Sequence, residues 1–275
     1  MERRPYNPAR HVKTIRRRSF ASVFTMADPL TPTTAHGGSP SLDAPEYWWY
    51  RVRGSLLRTV LGPFAEGAED VLDVGSADGP SVAWLRGRRH HVTLDVDPRG
   101  LTPGSGICGS ATALPFADAS FDLVGAFDVI EHCAPESVAL EQIARVLRPG
   151  GRFLLTVPAY QWAWSDFDVH NGHYRRYTRS RIVAALEAAG FDVVRATYAF
   201  ASTFPLFVAE RLFRRAKQTL RGGVEKPADV VQLPRTSPTV DRLLTALGQV
   251  DNAVLAGRDL PFGSSVVVAA RKPLS

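Results

Sequence analysis

The stretch Glu69–Leu85, EDVLDVGSADGPSVAWL, decides how the remainder of the chain reads. Val71, Leu72 and Val74 form the short apolar run typical of a strand buried in a parallel sheet. Gly75, Ala77 and Gly79 interrupt it, and Ser81 to Leu85 resume with helix-compatible residues. A strand, a turn almost free of side chains and a helix give a nucleotide access to backbone N–H groups and a helix N-terminus. The spacing is not the dinucleotide fingerprint G-x-G-x-x-G, because the corresponding places hold Gly75, Ala77 and Pro80. The pattern is D-x-G-x-A-x-G, opening on Asp73 at the strand end. Taken alone, it also fits a tight βα turn that binds nothing.

Working outward, 275 residues with 45% hydrophobic content suffice for a substantial core. The net charge of +6 invites a nucleic-acid reading, but its location opposes one. Arg3, Arg4, Arg10, Lys13, Arg16, Arg17 and Arg18 stand against Glu2 alone, so this first segment carries the whole excess. Residues 1–44 combine that basic run with the Pro/Thr/Gly/Ser stretch DPLTPTTAHGGSPS and are expected to be a disordered tail. An Arg-rich, acid-poor start also suits a mitochondrial transit segment; we prefer Met26 as the natural start. Cys108 and Cys133 lie in no disulfide or C-x-x-C context, which fits a cytoplasmic protein. No apolar run is long enough to span a membrane.

The ordered domain is expected over 45–275. EYWWYRVRGSLLRTVL has Tyr47, Tyr50, Leu57 and Leu61 at helical spacing. After the opening turn, strands are expected at His91–Val96, Ile107–Cys108, Phe121–Phe127, Gly151–Val157, Phe191–Tyr198 and Ser265–Ala270. Helices are expected at Pro135–Leu147, ending at Arg148-Pro149-Gly150-Gly151, and from the cap Thr178 to Ala189. Strands alternating with helices imply a parallel sheet. Residues 200–262, with two helix-like segments, read as an insertion. Asp95, 20 residues beyond Gly75 at the second strand's end, can take both hydroxyls of a ribose. Asp97 is the weaker choice, because Pro98 turns the chain away.

Four further segments follow in order: GSATALPF (109–116), SFD (120–122), DVIEH (128–132) and VLRPGG (146–151). With D-x-G-x-A-x-G they resemble the motif series of class I S-adenosylmethionine (SAM) dependent methyltransferases, specifically those related to ubiquinone and sterol methyltransferases. The resemblance covers about residues 46–200 and the last strand. It implies a Rossmann-like, mostly parallel seven-stranded α/β sheet sandwiched by helices, the last strand antiparallel, with a helical insertion before it. It also implies SAM as cofactor. In this reading Asp73 orients the loop and the amino acid moiety, Gly75, Ser76, Ala77 and Gly79 line the cofactor, and Asp95 with Val96 holds the ribose end. Ser110 and Ala111 flank the adenine, and Phe127 ends its strand beside the methionine part. Ala77 replaces the family's middle glycine. Ser110 stands in place of its usual aspartate, which implies a weaker adenine contact.

The acceptor side centres on AYQWAWSDFDVHNGHYRRY (159–177), which resembles a segment of a bacterial methyltransferase subgroup. Trp164, Asp168, Arg175, Arg176 and Tyr177 are its candidate substrate-binding residues. His173 and His132 are the candidate catalytic bases, because imidazole titrates near neutrality. The same loop also reads as a structural ion-pair network of Asp168, Arg175 and Arg176 that closes it. Two-residue steps among Asp166, Asp168, His170 and His173 fix no coordination geometry, so no metal is expected. The implied activity is methyl transfer to a small-molecule or glycan- or lipid-linked acceptor, at oxygen or nitrogen before carbon, with no nucleic-acid partner. Two other readings stay open: a non-catalytic SAM-binding or interaction protein, and a dinucleotide-dependent oxidoreductase. The 200–262 insertion is expected to act as an acceptor lid. Phe204, Phe207, Val208 and Leu212 lie near one helical face, and Arg211, Arg214, Arg215, Lys217 and Arg221 supply positive charge. That pattern admits peripheral membrane contact.

Overall fold

Val71 to Val74 are withdrawn from solvent in the first strand, β1 (Asp70–Val74), as a both-faces-buried strand requires. In this computed structural model, residues 46–274 are described except 76–78, 99–100, 102–103, 105 and 222–235. The expected tail 1–44, Ser76 and Ala77 therefore lie outside the described residues. The strands that follow are β2 (His90–Asp95), β3 (Gly106–Cys108), β4 (Phe121–Phe127), β5 (Leu147–Pro158), β6 (Asp192–Ala199) and β7 (Ser265–Arg271). They form one seven-stranded sheet in the order β3-β2-β1-β4-β5-β7-β6. The pairs from β3 to β5 are parallel, and β7 runs antiparallel to both β5 and β6.

Strand order reverses between β1 and β4, so the loops leaving their carboxyl ends border a topological switch point, where open α/β sheets bind ligands. The helices are α1 (Trp48–Ala65), α2 (Gly79–Val82), α3 (Glu136–Val146), α4 (Asp166–His170), α5 (Arg179–Ala188), α6 (Phe204–Arg221) and α7 (Pro238–Leu255). Thr178 caps α5 by accepting from the Arg181 N–H at 3.2 Å. Helix α7 reaches α1 through Gly248, where a Cβ would overlap the Val52 side chain, and through Asn252 Nδ2 donating to Ser55 Oγ at 3.0 Å.

Two boundaries differ from expectation by more than one residue. Strand β5 starts at Leu147, four residues early: Gly150 takes φ +77°, and the Gly150 and Lys272 N–H groups bond across to Lys272 and Gly151 at 2.9 Å. The P-G-G segment thus extends the sheet where a turn is expected. Leu147 leaves the helical stripe but remains fully buried. The helix after the glycine turn is also shorter than expected, four residues of α2 followed by a 3-10 turn at Ala83–Leu85.

Candidate functional site

Gly75 links the two sides of the switch point. Its φ is +72°, and a Cβ there would run into Cγ2 of Val129 in the segment after β4. The glycine therefore serves chain packing as well as ligand approach. Asp73 is 3% exposed, and burial pushes its carboxyl up to about 7, Arg86 opposing and Asp95 adding to the rise. Asp95 ends β2 beside it, 7% exposed, with Oδ1 accepting from the Asp97 N–H at 2.8 Å. Asp97 thus supports Asp95 through its backbone. Val96, next to it, is 71% exposed, an apolar side chain left open at a strand end. Ser110 turns its hydroxyl to Thr112, Oγ to Oγ1 at 2.8 Å, and accepts the Thr112 N–H at 3.2 Å. Ala111 is buried, and Phe127 is buried edge-on to Trp84. Gly79 lies against the Arg86 guanidinium.

The acceptor side is held by buried charge. Asp168, fully buried, accepts from Arg176 Nε at 2.7 Å and from the Ser165 N–H at 2.8 Å, and pairs with His173 Nδ1 at 2.9 Å. Burial alone would raise its carboxyl, but the His173 and Arg176 contacts win and hold it at about 2. Arg175 donates to the Cys133 carbonyl at 2.6 Å and to Glu136 at 3.2 Å, and the Tyr177 hydroxyl also bonds Glu136. Trp164 is half-buried. Asp168 and Arg176 therefore spend their polar groups inside the loop, whereas Arg175 and Tyr177 tie it to Glu136 of α3. His132 and His173, 41 positions apart in sequence, meet edge-to-face with ring centroids 4.6 Å apart. Of the four loop residues weighed for a metal, Asp168 and His173 touch; His173 is grouped instead with Glu131 and His132.

Several features had gone unread in the sequence. Arg53 of α1, 2% exposed, donates through Nη2 to Asp128 Oδ2 at 2.9 Å and Thr156 Oγ1 at 3.0 Å, and Thr156 donates to Asp128 Oδ1 at 2.9 Å. Its guanidinium also lies 5.2 Å from the Trp49 ring, which stacks on Phe200 at 5.8 Å. Asp128, Tyr160 and Phe200 all have positive φ (57°, 62°, 64°), and they lie one or two residues beyond β4, β5 and β6. Backbone strain of this kind gathers where a site fixes it. Tyr160 stacks on Trp162 and Tyr198 and leans on Phe204. Glu131 is fully buried, and its carboxyl is raised well above the usual range by that burial and by Asp128. Although His132 is exposed as a residue, desolvation of its ring lowers it to about 4, with His173 adding to the effect. The density of aromatic and charged residues over 159–177 marks the loop in sequence; nothing local marks Arg53.

Helix α6 lies over this loop. Arg211 Nη1 donates to Ser165 Oγ at 2.6 Å, Arg215 donates to the Trp162 carbonyl, and Phe207 is flanked by the guanidinium groups of Arg211 and Arg176. Phe204, Phe207 and Val208 are half-buried, whereas Leu212, expected on the same face, is 56% exposed. The side chains of Arg214, Lys217 and Arg221 lie outside what is described.

Residues 72–155 match the family model described as a methyltransferase domain. A protein of Mycolicibacterium smegmatis named "Probable S-adenosylmethionine-dependent methyltransferase" is 32% identical over 173 residues, covering 59% of this chain and 66% of its own length. The malonyl-[acyl-carrier protein] O-methyltransferase of Dechloromonas aromatica is 32% identical over 163 residues, 53% of this chain and 62% of its own. The chain thus spans slightly less than two thirds of these curated relatives. Among solved structures, the [4+2]-cyclase SpnF aligns with a TM-score of 0.50 at 20% identity, over 90% of this chain and 98% of that one. The cyclase likeness speaks to architecture alone.

Proposed function

Because the chain carries a class I SAM-dependent methyltransferase domain, we propose that it transfers a methyl group to a hydroxyl or amine of a small-molecule or glycan- or lipid-linked acceptor. The observation that carries this reading is the pairing of Asp73 and Asp95 at adjacent strand ends, beside exposed Val96 and across the Gly75–Val129 contact from the histidine pair. These residues fit the cofactor. A buried carboxyl driven up to about 7 gains from a cationic ammonium, Asp95 suits ribose hydroxyls, and Val96 offers an apolar platform for a base. The bound cofactor supplies an electrophilic sulfonium methyl. The chain's own part is to orient both reactants and exclude water, which makes proximity the main source of rate. His132 and His173 border the acceptor, while Asp168, Arg175, Arg176 and Tyr177 hold the loop in position.

Helix α6 acts in this reading as a lid on the acceptor. Its exposed Leu206, Leu212 and Phe213, 55–70% accessible, and its basic residues favour an apolar or lipid-linked acceptor and peripheral contact with anionic membrane. No described helix is long and apolar enough to cross a membrane. Incubation with methyl-labelled SAM and fractionated cell extract should yield S-adenosylhomocysteine together with a labelled small molecule or lipid. Stoichiometric SAM binding without turnover on any fraction would favour the non-catalytic reading. Sedimentation with anionic liposomes at low salt should be lost in Arg215→Glu; a wild-type protein that stays in the supernatant removes the membrane contact.

A further inference from the structure

Glu131 stands out among the buried groups. It follows β4 in the 3-10 turn Ile130–His132, has no exposed surface, and neither carboxylate oxygen meets a hydrogen-bond partner among the described residues. Buried polar atoms without partners call for an explanation, often a water or an ion. Two imidazoles converge on it: one ligand-capable atom from each of Glu131, His132 and His173 lies within 4.8 Å of the other two.

His173 is already held at its far side. Asp168 accepts from Arg176 and from the Ser165 backbone, so it acts as a carboxylate acceptor toward His173 Nδ1. That fixes Nδ1 as the donor and leaves the Nε2 lone pair of His173 for another partner. The backbone of Asn171 and Gly172 lies beside the His132 ring. A carboxylate behind a ligating imidazole is the arrangement that orients a histidine toward a metal, and Asp168 supplies it for His173.

We propose that Glu131, His132 and His173 bind one divalent transition-metal ion, with Zn²⁺ the ion the donor set best suits. Two imidazoles and one carboxylate are an established three-ligand set for zinc, which keeps a further position for water or a ligand. Ligand atoms around tetrahedral zinc stand about 3.4 Å apart at bond lengths of about 2.0–2.1 Å. Closing from separations of at most 4.8 Å therefore takes side-chain movement of no more than about 1.4 Å, which exposed His132 can make. The ion would lie on the acceptor side, beyond Val129 from the Gly75 turn, and its open position would take an oxygen or nitrogen of the acceptor. That last role rests on the methyl-transfer reading; metal binding itself does not.

The test is calorimetric titration of ZnCl₂ into chelator-treated, untagged full-length protein, with neither SAM nor acceptor present, so that its failure is separate from a failure of methyl transfer. The expected result is one Zn²⁺ per chain, weakened at least ~100-fold in Glu131→Gln and His173→Gln, and ~10–100-fold in the positioning variant Asp168→Asn. His90→Gln, which alters the distant His90–Asp70 pair, should leave binding unchanged. Co²⁺ should give visible ligand-field bands in the wild type that vanish in Glu131→Gln, a near-isosteric change whose folding is checked by circular dichroism. Absence of stoichiometric Zn²⁺ binding to the wild type, or binding equal in wild type and Glu131→Gln, overturns the proposal.

Discussion

On the β1–β3 side of the switch point, the candidate residues are few and close to their partners in sequence: Asp95 accepts a neighbouring N–H, Ser110 bonds Thr112, and Val96 faces solvent. On the β4–β6 side they form a lattice of buried and half-buried charge: Asp168 holds Arg176 eight positions on, Arg175 reaches Glu136 39 positions back, and α6 rests on top. The first side resembles a receptor shaped by backbone turns, ready for a ligand that brings its own hydrogen bonds. The second must be rigid before any acceptor arrives. Its charges are internal to the protein, so they determine loop shape more than ligand affinity.

If that contrast holds, the largest effect of substitution belongs to the buried network. Asp168→Ala leaves the Arg176 guanidinium buried without its carboxylate, and breaking such a pair costs about 3–5 kcal/mol. Urea denaturation should register the full loss, and a change of under ~1 kcal/mol would place the network at the surface of the energetics. Gly75→Ala comes next: the positive φ and the overlap with Val129 together should cost about 1–3 kcal/mol. A melting temperature equal to wild type would mean the turn can relax.

Asp73 sharpens the comparison through pH. Its folded value, raised from 3.8 to about 7 by burial, means that the native state keeps a proton the unfolded chain has already lost over this range. The cofactor-free protein should therefore lose stability as pH rises from about 4 to 7, with the loss complete above it. Asp73→Asn removes that dependence. It should raise the melting temperature at pH 8 by a few degrees, about 2–4 °C per kcal/mol, while weakening SAM binding. A variant no more stable than wild type at pH 8 would show that the carboxylate is already compensated. The smallest effect is expected from deleting residues 1–25, whose composition offers little to pack; a melting temperature shifted by more than ~1 °C would contradict it.

The same contrast explains what could be read in advance. Asp73, Gly75 and Asp95 are legible because a strand end and a turn are local events, recorded within a few consecutive residues. So is the sheet, whose strands alternate with helices at regular intervals. Arg53, Asp128 and Thr156 were not legible: the arginine bonds partners 75 and 103 positions away, and in sequence it is one more basic residue on an amphipathic helix. The early start of β5 was hidden for a related reason. Pro-Gly-Gly is turn chemistry, and only pairing with the distant Lys272 segment makes it strand. In the 159–177 loop the residue types were plain, but their division between network and ligand-facing roles depends on burial. His132 and His173 were singled out separately, and Glu131 beside His132 was passed over because nothing in one dimension shows that its carboxylate is enclosed.

The claim on which the account rests is that Asp95 at the end of β2 holds the cofactor. Isothermal titration of SAM into wild type, Asp95→Ala and Asp97→Ala tests it directly. One SAM should bind per wild-type chain, with affinity falling in Asp95→Ala by about 1.5–3 kcal/mol, roughly 10–150-fold. Asp97→Ala, which keeps the backbone N–H that supports Asp95, should lose much less. No binding to the wild type, or a larger loss at Asp97 than at Asp95, would contradict the account.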